Sequence, residues 1–181
     1  MESTEFKEYL ETRRCCLRAL TAYDVNEAYV CWMNDPRVSQ YLESRFTPHS
    51  LQDLKVYVEK TNADPNSRLF GIFEKEAGLY IGNVKISLIN WLHRHAELGI
   101  LIGHKAFWGK GYATEVLAQI VDYAGSCLNL RKLTAGIYAN NIGSIKAFEK
   151  VGFEREGIIR EQYFFKGGYV DGIRLGILLQ G

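Results

Sequence analysis

The chain has no uninterrupted apolar run approaching the roughly 18 residues of a membrane-spanning helix. Its first ten residues, MESTEFKEYL, are mixed and polar rather than a basic segment followed by an apolar one. Membrane insertion and export are therefore not expected, and the reading is cytoplasmic. Charge of one sign is missing too: 22 lysines and arginines stand against 21 aspartates and glutamates. No strong field is available to hold a nucleic-acid backbone or an anionic lipid surface, so a small or local partner is expected. With three prolines, no internal repeat and no low-complexity tract, nothing divides the 181 residues. Residues 1–181 are read as one domain, long enough to bury one sizeable core.

Cysteine is present without a pattern. Cys15, Cys16, Cys31 and Cys127 form no C-x-x-C pair, and adjacent Cys15 and Cys16 on a strand would point to opposite faces. Reduced thiols are expected rather than a disulfide framework. His93 and His95 share a strand face but have no third ligand at suitable spacing, so no metal is expected.

What is there alternates between two periods. CLRAL reads as a first strand, followed by a helix with Thr21 as N-cap and Asp24 completing a capping box. DPRVSQYL starts a second helix, capped by Asp35 with Pro36 at its first position, and TPHSLQDLKVYVEKT a third. From Arg68 the period becomes two: RLFGIFEK and LYIGNVKISLI predict an antiparallel hairpin, and HAELGILIG a further strand. Val116, Leu117, Ile120, Val121 and Ala124 then line one side of a helix that must pack on the sheet. KLTAGIYA is a strand. NNIGSIKAFEKVGF is a helix capped by Asn141, closed by Gly152, and buried through Ile145, Phe148 and Val151. The tail reads as two strands around KGG. The expected class is α/β, with a mixed, mostly antiparallel central sheet flanked by helices.

Between strand and helix lies FWGKGYATEV, residues 107–116. The first N–H groups of a helix have no internal partners and carry partial positive charge, and Gly109 and Gly111 allow close backbone approach, so the residue types suit a pyrophosphate. The spacing fails for a P-loop, since Gly103 and Gly109 are separated by five residues and Gly111 follows Lys110. It fails for a dinucleotide fingerprint as well, because Ala and Thr stand where the third glycine belongs.

WGKGYA resembles the pyrophosphate loop Q/R-x-x-G-x-G/A of the GCN5-related N-acetyltransferases, with Trp108 at the first position. NNIGSIKAFEKVGF is similar to that family's second segment through Asn141, Ser144, Lys150, Gly152 and Phe153. The resemblance runs from about Leu17 to Leu179. It falls in the branch containing ribosomal-protein N-terminal acetyltransferases and spermidine acetyltransferase. It implies the family's acyl-CoA N-acyltransferase fold and transfer of acetyl from acetyl-CoA to a primary amine by direct attack. The implied cofactor contacts are the backbone of Ile100, Leu101 and Ile102, the loop Trp108, Gly109, Lys110, Gly111, Tyr112 and Ala113, and Asn141, Ser144 and Phe148 of the second segment.

Glu97 stands where relatives place a base and would accept the amine proton directly or through water. Its competing reading is an ion pair with Arg94 or His95. Many relatives supply a tyrosine to the leaving thiolate, but Phe148 holds that position here, so Ser144 is the polar group left to donate a hydrogen bond or order a water. Glu161 and Tyr163 are further candidates for proton handling. The acceptor would be met by residues 28–54, where only Glu43 and Asp53 are obvious carboxylates. That ranks polyamines below other amines, leaving protein N-termini, the amino groups of nucleotide-linked sugars and other small amines as acceptors. The alternative function is a non-catalytic module that binds or senses acyl-CoA. Edge strands of the tail hairpin offer a route to a homodimer.

Overall fold

The computed structural model describes residues 9–179. The chain opens with β1 (Tyr9–Glu11) and β2 (Cys15–Ala19). It then passes through α1 (Glu27–Asn34), α2 (Pro36–Ser39), a 3-10 turn (Glu43–Phe46) and α3 (Leu51–Ala63), and lays down β3 (Arg68–Glu74), β4 (Leu79–Asn90) and β5 (His95–Ile102). A second 3-10 turn (Lys105–Phe107) leads into α4 (Tyr112–Ser126). The chain finishes with β6 (Lys132–Tyr138), α5 (Ile142–Lys150), β7 (Glu154–Phe165) and β8 (Gly168–Leu178). The strands form one sheet in the order β1-β2-β3-β4-β5-β6-β8-β7, antiparallel throughout except for the β5–β6 pair. This is the mixed, mostly antiparallel sheet that the periodicity implied. The three-residue β1 has too little alternation to be seen in sequence, and most of the polar amino-terminal stretch, residues 1–8, lies outside the described residues.

Helix starts follow side-chain chemistry. Asp35 accepts the Arg37 N–H at α2, and Ser50 with Asp53 closes a reciprocal capping box at α3. The first helix corrects the expectation. Asp24 does receive the N–H and hydroxyl of Thr21, but it is also held by the Arg18 guanidinium, and the resulting turn precedes the helix. Asn26 caps α1 instead, accepting from Tyr29 N–H. At the end of α5, Gly152 takes φ +99°, its N–H donates to Glu149 C=O, and Phe153 N–H donates to Phe148 C=O. With the Phe148 and Phe153 rings 4.9 Å apart, this is a complete Schellman stop. The β7–β8 turn is a two-residue loop in which Lys166 and Gly167 both have positive φ, the arrangement that matches strand twist.

The sheet separates two cores. On one face α4 and α5 bury Val116, Leu117, Ile120, Tyr123, Ile145 and Phe148 against Leu17, Phe70, Val84, Leu98, Leu133 and Ile173. On the other, α1 and α3 bury Tyr29, Trp32, Leu54 and Val58 against Leu20 and Leu69. Each buried Leu, Ile or Val side chain stabilises the fold by about 1.5–3 kcal/mol, so both layers are held mainly by apolar area.

Candidate active site

Strands β5 and β6 pair in parallel only at His95–Lys132, Ala96–Leu133 and Glu97–Thr134. Beyond Glu97, β5 runs on to Ile102 beside β4 and β6 runs on to Tyr138 beside β8, so the sheet splits between them. Both strands lead into helices, α4 after β5 and α5 after β6, whose N-termini therefore stand at the open end of the split. The β4–β5 ladder is anchored by Gly103 N–H on Ile81 C=O. Alternation along an antiparallel pair then assigns the Leu101 backbone to β4 and turns that of Ile100 and Ile102 toward the split. Of the three residues expected to contact cofactor through their backbone, Leu101 is thus corrected: its polar groups are spent on the ladder and its side chain packs on the α1–α3 core.

The loop from Trp108 to Ala113 folds as its glycines require. Gly109 and Gly111 have φ of +69° and +80°, a region costly for residues with a Cβ, and Gly111 is the N-cap of α4 with no side chain to occupy the first N–H groups. Trp108, 40% exposed, donates its indole N–H to Ile102 C=O at 2.6 Å. The departure from Gln or Arg at this position therefore keeps a donor, which ties the loop to β5 and occupies the Ile102 carbonyl. Tyr112 is buried, Ala113 packs against the core, and Lys110 is exposed. Behind the loop, Gly103 lies flat on Trp32, where a Cβ would meet the indole at 2.2 Å, and Lys105 donates to Asp35 at 2.5 Å. These residues suit a pyrophosphate: N–H groups with no acceptor among the described residues, open space at Gly109, a guanidinium nitrogen 3.7 Å from a would-be Cβ at Gly111, and no side-chain cap on α4.

On the second helix, Asn141 spends its side-chain oxygen on Ser144 N–H at 3.3 Å. The Ser144 hydroxyl is half-buried and has no protein partner among the described residues. Phe148 is 2% exposed and committed to the core and to the α5 stop, so its side chain offers no surface to a ligand.

The opposite face of the split carries the polar chemistry. Ala96 and Leu98 enter the α4–α5 core, so Glu97 points the other way. Its partner is neither Arg94, which bonds Asn129, nor His95: Arg174 of β8 donates to Glu97 Oε1 at 2.7 Å and to Thr134 Oγ1 at 3.3 Å. The proximity of residues 97 and 174 follows from sheet order and is invisible in sequence. Alongside, Tyr138 donates to Glu43 at 2.5 Å and accepts from Arg45 at 2.6 Å, and its ring stacks on Tyr163 at 4.0 Å. Burial, then the bond to Glu43, pushes the Tyr138 hydroxyl up to about 12. Burial, then the charges of Glu43 and Glu97, raises Tyr163 against the opposing effect of Arg174, so both phenols stay protonated at neutral pH.

An irregularity in β7 between Ile159 and Tyr163 aims the latter. Glu161 sits there at φ +51°, its N–H held by Asp171 and its side chain exposed, while the Tyr163 hydroxyl comes within 3.2 Å of where a Cβ on Gly136 would lie. The sequence signal for Tyr138, Arg45 and Arg174 was absent, because none belongs to a local motif. Among the described residues no group of three or more His, Cys, Asp or Glu is arranged to hold a metal, and no helix is long and apolar enough to cross a membrane.

A strand split bounded by two helix N-termini, one preceded by a glycine loop, stands between β5 and β6. Consistent with this, the family model of the acetyltransferase (GNAT) domain matches residues 14–154, and the chain belongs to that family. It is an acetyl-CoA-dependent N-acetyltransferase. The chain is 30% identical over 166 residues to the uncharacterized N-acetyltransferase p20 of Bacillus licheniformis, covering 91% of this chain and 92% of that one. It is 31% identical over 162 residues to the spermidine N(1)-acetyltransferase of Vibrio cholerae, covering 90% and 91%. The crystal structure of spermidine N-acetyltransferase from Vibrio cholerae in complex with CoA and spermine superposes with a TM-score of 0.82 at 30% identity, over 91% of this chain and 95% of that one. Nothing among these relatives supports the alternative of a non-catalytic binding module.

Proposed function

We propose that the enzyme acetylates a primary amine whose surroundings are neutral or anionic, such as an amino sugar on a nucleotide or a protein N-terminus, rather than a polycation. The observation that carries this is charge pairing: Glu97 is matched by Arg174 and Glu43 by Arg45, so the two carboxylates nearest the split leave little net field for a polyamine. Asp53, the other candidate carboxylate, is spent on capping α3. A cleft of about 430 Å³ between α2 and the β7–β8 tip is lined by Asn34, Gln40, Arg45, Phe165 and Lys166 among others, with no carboxylate among the described residues that line it.

The thioester carbonyl lies in the split, within reach of the Ile100 N–H. The amine nitrogen attacks from the Glu97 face; the C–N bond forms, the C–S bond breaks, and the amine proton passes to Glu97 directly or through water. The departing thiolate, on the α5 side, receives a hydrogen bond from Ser144, and the Asn141 amide contacts the pantetheine arm. Trp108 to Ala113 hold the pyrophosphate. Tyr163 stands at the mouth of the split as a hydrogen-bond donor to the acceptor.

The test is acetyl transfer from acetyl-CoA across an amine panel. Expected is a kcat/KM for an amino-sugar nucleotide or peptide N-terminus at least about tenfold above that for spermidine, a difference of ~1.4 kcal/mol. The reverse order would establish the second reading, a polyamine acceptor, which the spermine-bound relative favours. We also infer self-association through β7. It is the sheet's outer strand and exposes Ile158 and Ile159, and the Vibrio cholerae relative is described as dodecameric.

A further inference from the structure

Arg14, remote in sequence from both cofactor segments, is built into the glycine loop. Its backbone N–H donates to Glu115 Oε1 and its Nε to Glu115 Oε2, both at 2.7 Å, so the carboxylate in the first turn of α4 is held twice. Its Nη1 donates to Lys110 C=O at 3.0 Å, and the guanidinium lies 3.9 Å over the Tyr112 ring. Nη2 has no acceptor among the described residues and lies 3.7 Å from where a Cβ on Gly111 would stand.

The bond to Lys110 has a geometric consequence. Lys110 C=O and Gly111 N–H belong to one planar trans peptide and point in opposite directions. Drawing the carbonyl toward Arg14 therefore aims the Gly111 N–H away from it, onto the open side of the loop. The pairing with Glu115 has an electrostatic one. An unpaired carboxylate in the first turn would compete with a phosphate for the same helix N-terminus and repel it. An ion pair kept only for stability would need the bonds to Glu115 and not the one to Lys110.

We propose that Arg14 is a positioning residue for acetyl-CoA. It orients the peptide between Lys110 and Gly111 toward the pyrophosphate and cancels the charge of Glu115 beside it. This rests on the reading of residues 108–113 as the pyrophosphate cradle.

The test uses the full chain and two acetyl donors, acetyl-CoA and S-acetylpantetheine, which lacks every phosphate. Wild type is expected to prefer acetyl-CoA strongly in kcat/KM. Arg14→Ala should lower that preference about tenfold, the scale of a lost charge-assisted hydrogen bond, mainly through KM for acetyl-CoA. Arg14→Ala/Glu115→Gln should regain part of it, because the uncompensated carboxylate is gone. Should Arg14→Ala not fold, Arg14→Lys reads the same quantity and should fall between wild type and Ala. An unchanged preference in whichever variant folds would overturn the role of Arg14, as would a double variant no better than the single. A wild type that does not distinguish the two donors overturns the cradle reading itself, so the two failures are separable.

Discussion

The two sides of the split are built by different means. The cofactor side, from β5 through the loop into α4, is made of backbone: amide groups on the free edge of a strand, two glycines at positive φ, and the unpaired N–H groups of a helix start. The acceptor side is made of side chains drawn from five places in the chain: Glu43 and Arg45, Glu97, Tyr138, Tyr163, and Arg174. On the proposed assignment, backbone geometry would bind what every acyl-CoA shares, and the choice of amine would be left to side chains that substitution can change without disturbing the strand split. The loop is buttressed by Trp32, Asp35 and Arg14, so the common half depends on distant supports too.

The largest effect should come from breaking that buttress. Gly103→Val places a side chain into the Trp32 indole, which cannot yield without disturbing the α1–α3 core. A loss of about 3 kcal/mol is expected, read as a lower urea midpoint with unchanged m-value. A wild-type midpoint would show that the two sides are not mechanically joined at Gly103. On the acceptor side, Glu97→Gln should lower kcat about a hundredfold with little change in KM for acetyl-CoA, the contribution expected of a general base. Equal turnover in the variant would return Glu97 to a purely structural pairing with Arg174.

Tyr138→Phe removes the hydroxyl shared by Glu43 and Arg45 while keeping the ring stack on Tyr163. It should raise KM for the amine by about tenfold and leave KM for acetyl-CoA in place, since hydrogen bonds to charged groups contribute ~1.5–3 kcal/mol. If both Michaelis constants rise together, the two halves are less independent than the comparison holds.

Acid should weaken the cofactor side through Glu115. Burial pushes its carboxyl up, but the hydrogen bonds from Thr12 and Arg14 outweigh this and hold it below its ordinary value of 4.5. A depressed folded value means that its contribution to stability is full above 4.5 and is lost as pH falls through the lower one. Glu115→Gln should therefore flatten the decline in stability below pH 4.5, measured by urea unfolding at stepped pH; an unaltered slope would count against the pairing. The smallest effect concerns thiols. Cys31 and Cys127 are exposed, whereas Cys15 is buried and burial pushes its thiol up to about 11. A disulfide reagent at neutral pH should label the former pair at once and Cys15 only on unfolding.

The cofactor side was the legible one. Glycine at Gly109 and Gly111, the cap at Asn141 and the stop at Gly152 act on neighbours a few residues away, so their residue types announce the geometry. Locality can still mislead. Thr21 and Asp24 make the bonds of a helix start, yet Arg18 takes up the same carboxylate and the helix is capped by Asn26. Phe148 sits in the family's second segment but serves the core and the helix stop, because burial rather than motif position decides where a ring goes.

By itself, the order of residues determined the strand and helix periods, the glycine-flanked start of α4 and the near balance of basic and acidic residues. Those properties are set by backbone dihedrals and side-chain type within one or two turns of chain. The tertiary structure alone decided that Arg174 meets Glu97, that Arg45 and Glu43 converge on Tyr138, and that Arg14 reaches the loop. Such pairs lie 77 to 96 residues apart. Only closing the sheet in its particular strand order brings them within the few ångströms over which charges and hydrogen bonds act.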